Sequence, residues 1–185
     1  MSTKDFLDAS IKNVIKTLFE AILLVILVVF IFLQSLRSTI IPTISIIVSL
    51  VGTFAFLMVA GFSLNMITLF ALVLVIGTVV DDSIVVVEAV QAKFDMGYKS
   101  AYRATVDAMG GISTALIATT FVFMAVFIPV SFMGGTTGTF YTQFGLTMAV
   151  AVGISLVSSL TLSPALCSLI MTPHEEIKPG EKGSF

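Results

Sequence analysis

Five apolar runs, each long enough to cross a bilayer as a helix, dominate this sequence. A helix rises about 1.5 Å per residue, so about 20 apolar residues span the hydrocarbon core. The runs cover residues 18–36, 39–60, 64–90, 112–132 and 144–171. Each is longer than the strand of a membrane barrel and lacks its alternating polar face, and lipid requires every backbone amide to be paired internally. We therefore predict an all-α fold, a polytopic membrane helix bundle of about five transmembrane helices.

The runs divide the chain into three parts. Hydrophobic residues make up 57% and charged residues 11% of the chain, so lipid must solvate much of its surface. Residues 1–17 carry apolar side chains on one helix face, which predicts an amphipathic lead-in segment that feeds the first span. Residues 18–171 would form the bundle, and residues 172–185 a polar cytoplasmic tail. Between the third and fourth runs, the stretch YKSAYRATVDAM is expected to form a surface helix.

The charged connections alternate with uncharged ones. Cationic loops prefer the cytoplasm. In a five-helix arrangement the basic residues of two loops and the tail fall on one side, and they are Arg37, Lys93, Lys99, Arg103, Lys178 and Lys182. The two uncharged loops fall on the other side, whereas the lysines of residues 1–17 break the pattern. The pattern predicts a multi-pass protein with a cytoplasmic C-terminus.

Asp81 and Asp82 are the candidate functional residues. They are the only acids between Glu20 and Glu88, with apolar residues on both sides. In a span centred on Val80 both carboxyl groups lie near the bilayer midplane, where an ionised acid costs at least about 2.5 kcal/mol. Such an acid is tolerated when it faces the bundle interior and takes a proton or a partner, which is the profile of a proton carrier. Alternatively the pair marks a helix end, but the apolar IVVVEAV that follows argues against that.

Other polar positions favour structural interpretations. Glu88 lies near a span end, where an acid can reach the interface. Gly77, four residues before Asp81, favours ordinary small-residue packing between helices. Cys167 is expected to be a buried structural thiol, and His174 a solvated tail residue rather than a metal ligand. No nucleophile motif, phosphate-binding loop or metal spacing occurs in the sequence, so we predict no cofactor and no metal, and an enzyme is the least favoured class.

Four stretches carry a family resemblance. GTVVDDSIVVVEAV resembles the fourth transmembrane helix of resistance-nodulation-division (RND) exporters, in their hydrophobe/amphiphile or multidrug branch. IKTLFEAILLVILVVFIFLQSLRSTIIPTISIIVSLVGTFAFL looks like the second and third helices, and GFSLNMITLFALVLVIG like the start of the fourth. FIPVSFMGGTTGTFYTQFGLTMAVAVGISLVSSLTLSPALCSLI looks like the fifth and sixth. The stretches are collinear with the family, and the resemblance covers residues 5–173.

The resemblance implies a role for the two aspartates. Asp81 and Asp82 match the proton relay of a proton-motive-force-driven efflux pump, a proton/drug antiporter that exports hydrophobic or amphiphilic compounds with protons as the coupling ion. It further implies a bacterial inner membrane, a homotrimer, and a periplasmic adaptor with an outer-membrane channel. The lysine partner of the relay belongs to the missing half of the RND transporter. Ala89 departs from the family, which commonly has asparagine after the glutamate.

Two alternatives to this interpretation stay open. The chain could be a truncated, non-transporting membrane fragment that is inert or associates with full-length pump subunits, since the lysine partner lies outside it. It could also be a relative from the metal-ion or protein-export branches, although DDSIVVVE favours the multidrug branch.

Overall fold

A computed structural model describes residues 3–62, 65–135 and 137–173, with side chains described from Asp8 onward. Within these residues the chain forms five helices, namely α1 (Thr3–Leu33), α2 (Leu36–Val59), α3 (Met66–Asp95), α4 (Ala101–Val130) and α5 (Gly138–Ile170). Each helix is long and apolar enough to cross a membrane. This confirms the predicted all-α membrane helix bundle.

Capping side chains mark where three of the helices begin. Ser35 accepts a hydrogen bond from the backbone N–H of Ser38 at the start of α2. Asn65 forms a reciprocal capping box with Thr68 at the start of α3. The Ser100 side chain caps α4 in the same way as Ser35 caps α2. These caps satisfy amides that have no partner within a helix. The connections between helices are short and consecutive helices contact each other, so consecutive helices run antiparallel.

The antiparallel order gives the bundle two chemically distinct ends. The cationic end carries the α1–α2 turn, the α3–α4 turn and the end of α5. There Arg37 donates a hydrogen bond to the Thr172 hydroxyl at 3.1 Å, and Lys93 forms an ion pair with Asp107. The glycine-rich end carries the α2–α3 and α4–α5 turns. There the Asn65 amide nitrogen donates to the Gln143 side-chain oxygen at 2.8 Å. These contacts agree with the predicted alternation of charged and uncharged connections.

The two central helices are α3 and α5, which run parallel to each other. Among the described residues α5 contacts α2, α3 and α4, whereas α1 contacts only α2 and α3. One apolar cluster, around Leu72, Val75 and Met148, joins α3 to α5 on the side of the glycine-rich end. A second cluster, around Ile41 and Val90, joins α2, α3, α4 and α5 near the cationic end. The outward faces of the bundle are apolar, as contact with lipid requires.

Two predicted boundaries differ from the observed helices. The predicted surface helix over residues 98–109 is wrong as a separate element, because α4 begins at Ala101 and continues without a break to Val130. Its polar residues lie on the first turns of α4, where Tyr98 and Lys93 contact Asp107. The helix α1 likewise continues through the predicted boundary at residue 17. The division into lead-in, bundle and tail stays a prediction, and the tail from His174 lies outside the described residues.

Candidate functional site

Asp81 and Asp82 lie in the middle of α3, one of the two central helices. The midpoint of Met66–Asp95 falls between Val80 and Asp81, and the helix continues without interruption to its end. The alternative that the pair marks a helix end near Val80 is therefore wrong. Apart from Gly77, Thr78 and Ser83, the residues around the pair in the middle of α3 are apolar.

The carboxyl group of Asp82 faces α5 inside the bundle. Its side chain is half-buried, and its Oδ2 accepts a hydrogen bond from the Ser155 hydroxyl at 2.8 Å. Ser155 is fully buried and lies one residue from the midpoint of α5. A carboxyl oxygen can accept a hydrogen bond whether or not the other oxygen carries a proton. Ser155 can therefore hold the Asp82 side chain in one orientation in both protonation states.

The carboxyl group of Asp81 lies on a different face of α3. Asp81 belongs to a row of exposed residues on α3 that are spaced three or four positions apart. We name this row the α3 outer stripe, and it consists of Phe70, Leu74, Gly77, Asp81, Val85 and Glu88. Adjacent residues of a helix point about 100° apart, so the two carboxyl groups point in different directions from α3. No described residue donates a hydrogen bond to Asp81 or forms an ion pair with it. The structure thus separates the predicted pair into an inward and an outward carboxyl group.

Most of the other residues singled out in the sequence lie where a structural role predicts. Glu88 is exposed on the outer stripe, toward the cationic end, and Cys167 is fully buried. A Cβ atom at Gly77 would meet no described atom within 4 Å, so the predicted small-residue packing is not made within this chain. His174 lies outside the described residues. Within residues 3–173, where described, no three His, Cys, Asp or Glu side chains are placed to hold a metal.

Ser155 is the site residue that the sequence interpretation missed. The signal was present, because α5 carries serines at positions 155, 159 and 163, four residues apart in a mostly apolar run. Residues at this spacing share one helix face. A polar stripe facing the bundle interior therefore could have been predicted, although not its contact with Asp82.

Known proteins resemble the chain along its whole length. The sequence profile of the AcrB/AcrD/AcrF family matches residues 1–185. The chain is 46% identical over 187 residues to the multidrug export protein AcrF of Escherichia coli, an alignment that covers 99% of the chain and 18% of AcrF. It is 44% identical over 183 residues to the toluene efflux pump membrane transporter TtgE of Pseudomonas putida, covering 99% of the chain and 18% of TtgE.

A third relative gives the same result. The chain is 46% identical over 174 residues to the multidrug resistance protein MdtF of Escherichia coli, covering 94% of the chain and 17% of MdtF. The chain thus spans less than a fifth of the length of these relatives. The profile match over the full length, together with the five apolar helices, places the chain as a multi-pass membrane segment in the AcrB/AcrD/AcrF family of RND multidrug efflux transporters, to which it belongs.

Proposed function

We propose that this chain is the transmembrane proton-translocating segment of a proton-motive-force-driven efflux pump. In this proposal the pump is a proton/drug antiporter that exports hydrophobic or amphiphilic compounds, and Asp81 and Asp82 carry the coupling proton. The observation that carries the proposal is the position of two adjacent acids in the middle of α3, one of the two central helices of the bundle. Acids at membrane depth are expensive and mark ion and proton pathways.

The energetics of such a carrier are simple. A proton that enters from one side neutralises a carboxylate, and its release on the other side restores the charge. Each proton that moves down a membrane potential of 100 mV supplies about 2.3 kcal/mol. Ser155 would keep Asp82 oriented through both halves of the cycle, because its hydroxyl donates to the carboxyl oxygen in either state.

The α3 outer stripe supports a partner from the other half of the transporter. Asp81 is exposed on this stripe, and Gly77 one turn away leaves room for another helix to approach. A lysine on that helix would pair with Asp81, since a charge at membrane depth needs a counter-charge. From the resemblance of the sequence to the RND family alone, we also infer a homotrimer that works with a periplasmic adaptor and an outer-membrane channel.

The two ends of the bundle support an orientation in the inner membrane. Arg37, Lys93, Lys99 and Arg103 lie at the cationic end, and basic residues near helix ends favour the cytoplasm. We therefore place the cationic end, and with it the C-terminus, in the cytoplasm.

A second candidate function is a non-transporting membrane segment that associates with full-length pump subunits. The observation that favours it is the lack of a cationic neighbour for Asp81 among the residues the structure describes. The two candidate functions differ in one expected result. Only the proton-translocating segment should support transport when the rest of a pump surrounds it.

A hybrid transporter tests the proposal. In the hybrid, residues 1–185 replace the matching segment of AcrF, to which they are 46% identical. Asp81→Asn should lower dye efflux from cells at least about a hundredfold, because a positioned proton-transfer group contributes about 10²–10⁴-fold. Glu88→Gln is the matched control on the same stripe, and we expect efflux to be retained.

The outcome decides between the two candidates. Efflux at the unaltered rate in the Asp81→Asn hybrid, at equal membrane abundance, would contradict the proposal. A hybrid that reaches the membrane but exports no dye even with the unaltered segment would favour the second candidate.

A further inference from the structure

An open cavity of about 1130 Å³ lies at the cationic end of the bundle. Its wall is formed by the start of α2, by the end of α3 with the turn that follows, and by the residues at the end of α5. This volume is comparable with that of small-molecule binding sites. We name it the cationic cavity, and its lining residues include Arg37, Ser38, Asp95, Lys99 and Thr172.

The lining carries more positive than negative charge. Arg37 and Lys99 contribute two positive charges, and Asp95 contributes one negative charge. None of the three forms an ion pair with another residue that the structure describes. A ligand with a single negative charge would therefore neutralise the cavity.

The Arg37 guanidinium is positioned by the end of α5. One of its terminal nitrogens donates a hydrogen bond to the Thr172 hydroxyl at 3.1 Å. A guanidinium has five N–H donors in a planar arrangement that matches the oxygens of a phosphate group. The contact with Thr172 uses one donor and leaves the others available to a ligand.

The first turn of α2 adds uncharged donors to the same wall. Ser38 is only 6% exposed, and its hydroxyl has no hydrogen-bond partner among the described residues. The first backbone hydrogen bond of α2 runs from Thr39 to Ser35, so the N–H groups of Leu36 and Arg37 precede the intrahelical bonds. The positive end of a helix and its free amides favour an anion. Hydroxyl, amide and guanidinium donors are thus close together at the start of α2.

The cavity lies where the helices leave the hydrocarbon core, because the ends of membrane-spanning helices lie near the lipid–water boundary. Two large apolar side chains flank it. Leu36 and Met96 are each 72% exposed, and each lies in the chain between two lining residues. Basic pockets between transmembrane helices bind the headgroups of anionic lipids. A basic cavity beside exposed apolar side chains suits a ligand that has both an anionic headgroup and acyl chains.

We propose that the cationic cavity binds the phosphodiester headgroup of an anionic phospholipid. Its phosphate oxygens accept hydrogen bonds from Arg37, Ser38 and Lys99, and the hydroxyl groups of a glycerol headgroup donate to Asp95. The single negative charge of the phosphodiester balances the excess positive charge of the lining. Phosphatidylglycerol therefore binds more tightly than phosphatidylcholine, whose headgroup has no net charge and no hydroxyl donor. The proposal requires only that the cationic end lies at a membrane surface, and it is independent of proton transport.

Native mass spectrometry of the purified chain in detergent tests the proposal. Bound lipid is counted as phosphatidylglycerol or phosphatidylcholine with identical acyl chains is added. The first phosphatidylglycerol molecule should bind at least about fivefold more tightly than phosphatidylcholine, the effect expected for one basic residue that meets an anionic headgroup. Arg37→Gln with Lys99→Gln should abolish this preference.

The control is Arg103→Gln with Lys12→Gln, which removes the same two kinds of charge. Both side chains are exposed and neither lines the cavity, although Arg103 also lies at the cationic end. The control should keep the full preference for phosphatidylglycerol. A preference that survives in the double cavity variant, or that is lost equally in the control, would overturn the proposal.

Two further variants separate binding from folding. Ser38→Ala removes a hydroxyl that has no described partner, so the unfolding temperature without lipid should not change. Binding of phosphatidylglycerol should weaken about fivefold, because one hydrogen bond to the phosphate is lost. Thr172→Val removes the contact with Arg37 but keeps both positive charges, and it should retain the preference. Unchanged binding by Ser38→Ala, or complete loss of the preference in Thr172→Val, would contradict the assigned contacts.

Thermal unfolding in detergent distinguishes a lipid headgroup from free phosphate, because a ligand that binds the folded state raises the unfolding temperature. Short-chain phosphatidylglycerol should stabilise the unaltered chain more than the Arg37→Gln, Lys99→Gln variant. Inorganic phosphate should have no more effect than sodium chloride at equal ionic strength. A rise specific to inorganic phosphate, absent from the double variant, would assign the cavity to a soluble phosphate and overturn the lipid proposal.

Discussion

Asp82→Asn is expected to lower efflux by the hybrid transporter at least about a hundredfold, because asparagine cannot take up and release a proton and a positioned proton-transfer group contributes about 10²–10⁴-fold. The substitution preserves the volume of the side chain. Its amide oxygen can still accept the hydrogen bond that Ser155 donates to Asp82 at 2.8 Å. The bundle should therefore assemble normally, and the loss should be one of transport alone.

The measurement is dye efflux from cells, normalised to the amount of transporter in the membrane. Ser155→Ala provides a graded comparison. This variant keeps the titratable carboxyl group of Asp82 but removes the hydroxyl that orients it, so we expect a smaller loss than in Asp82→Asn. Efflux by Asp82→Asn equal to that of the unaltered hybrid would remove Asp82 from the pathway. A larger loss in Ser155→Ala than in Asp82→Asn would contradict the assigned roles.

Gly145→Ala is expected to destabilise the packing of α5 against the end of α4. Gly145 is buried, and a Cβ atom there would lie 2.5 Å from the Ser131 hydroxyl oxygen and 2.7 Å from the Phe127 carbonyl oxygen. Backbone atoms cannot rotate away as a flexible side chain does, so the two helices must separate. Overpacking of this kind costs about 1–3 kcal/mol. Gly145→Val should cost more, because its added methyl groups enlarge the clash.

Thermal unfolding of the purified chain in detergent measures this cost. Gly110→Ala is the matched control, since a Cβ atom at this exposed position of α4 would meet nothing within 4 Å. Alanine stabilises a helix interior by roughly 0.5–1 kcal/mol relative to glycine, so the control should unfold at an equal or higher temperature. Equal unfolding temperatures for Gly145→Ala and Gly110→Ala would contradict the close approach of α5 to α4.

The number of helices and the position of the aspartates at the middle of the third helix were predictable from the sequence. Both depend on one strong physical constraint, because the thickness of a bilayer fixes the length of an apolar helix. The third run predicted a span centred on Val80, and the midpoint of α3 falls between Val80 and Asp81. The fold class was predictable for the same reason, since lipid leaves few ways to pair backbone amides.

The different surroundings of the two aspartates were not predictable. In the sequence Asp81 and Asp82 are equivalent neighbours in one apolar run. Which of them faces α5 depends on how α3 is rotated in the bundle, and side chains from distant parts of the chain determine that rotation. The contact between Asp82 and Ser155 joins residues 73 positions apart. Periodicity along α5 predicts a polar face but not the residue opposite it.

The start of α4 was missed because hydropathy measures only where lipid begins. Ala101 follows the capping residue Ser100, and the helix then includes several polar residues before the apolar run. A cap determines where a helix starts, whereas hydropathy determines which part of it lies in the hydrocarbon core. The cap places the start of α4 about a dozen residues before the start of the apolar run. The polar residues between these two points were therefore predicted to form a separate surface helix.

Drug-dependent proton movement is the most direct test of the claim that Asp81 and Asp82 carry the coupling proton. The hybrid transporter is reconstituted into liposomes that contain a pH-sensitive dye and hold a pH gradient, and an amphiphilic substrate is added. We predict that the substrate accelerates the collapse of the gradient for the unaltered protein and has no effect for Asp81→Asn or Asp82→Asn. An undiminished substrate-dependent collapse in either variant would contradict the account.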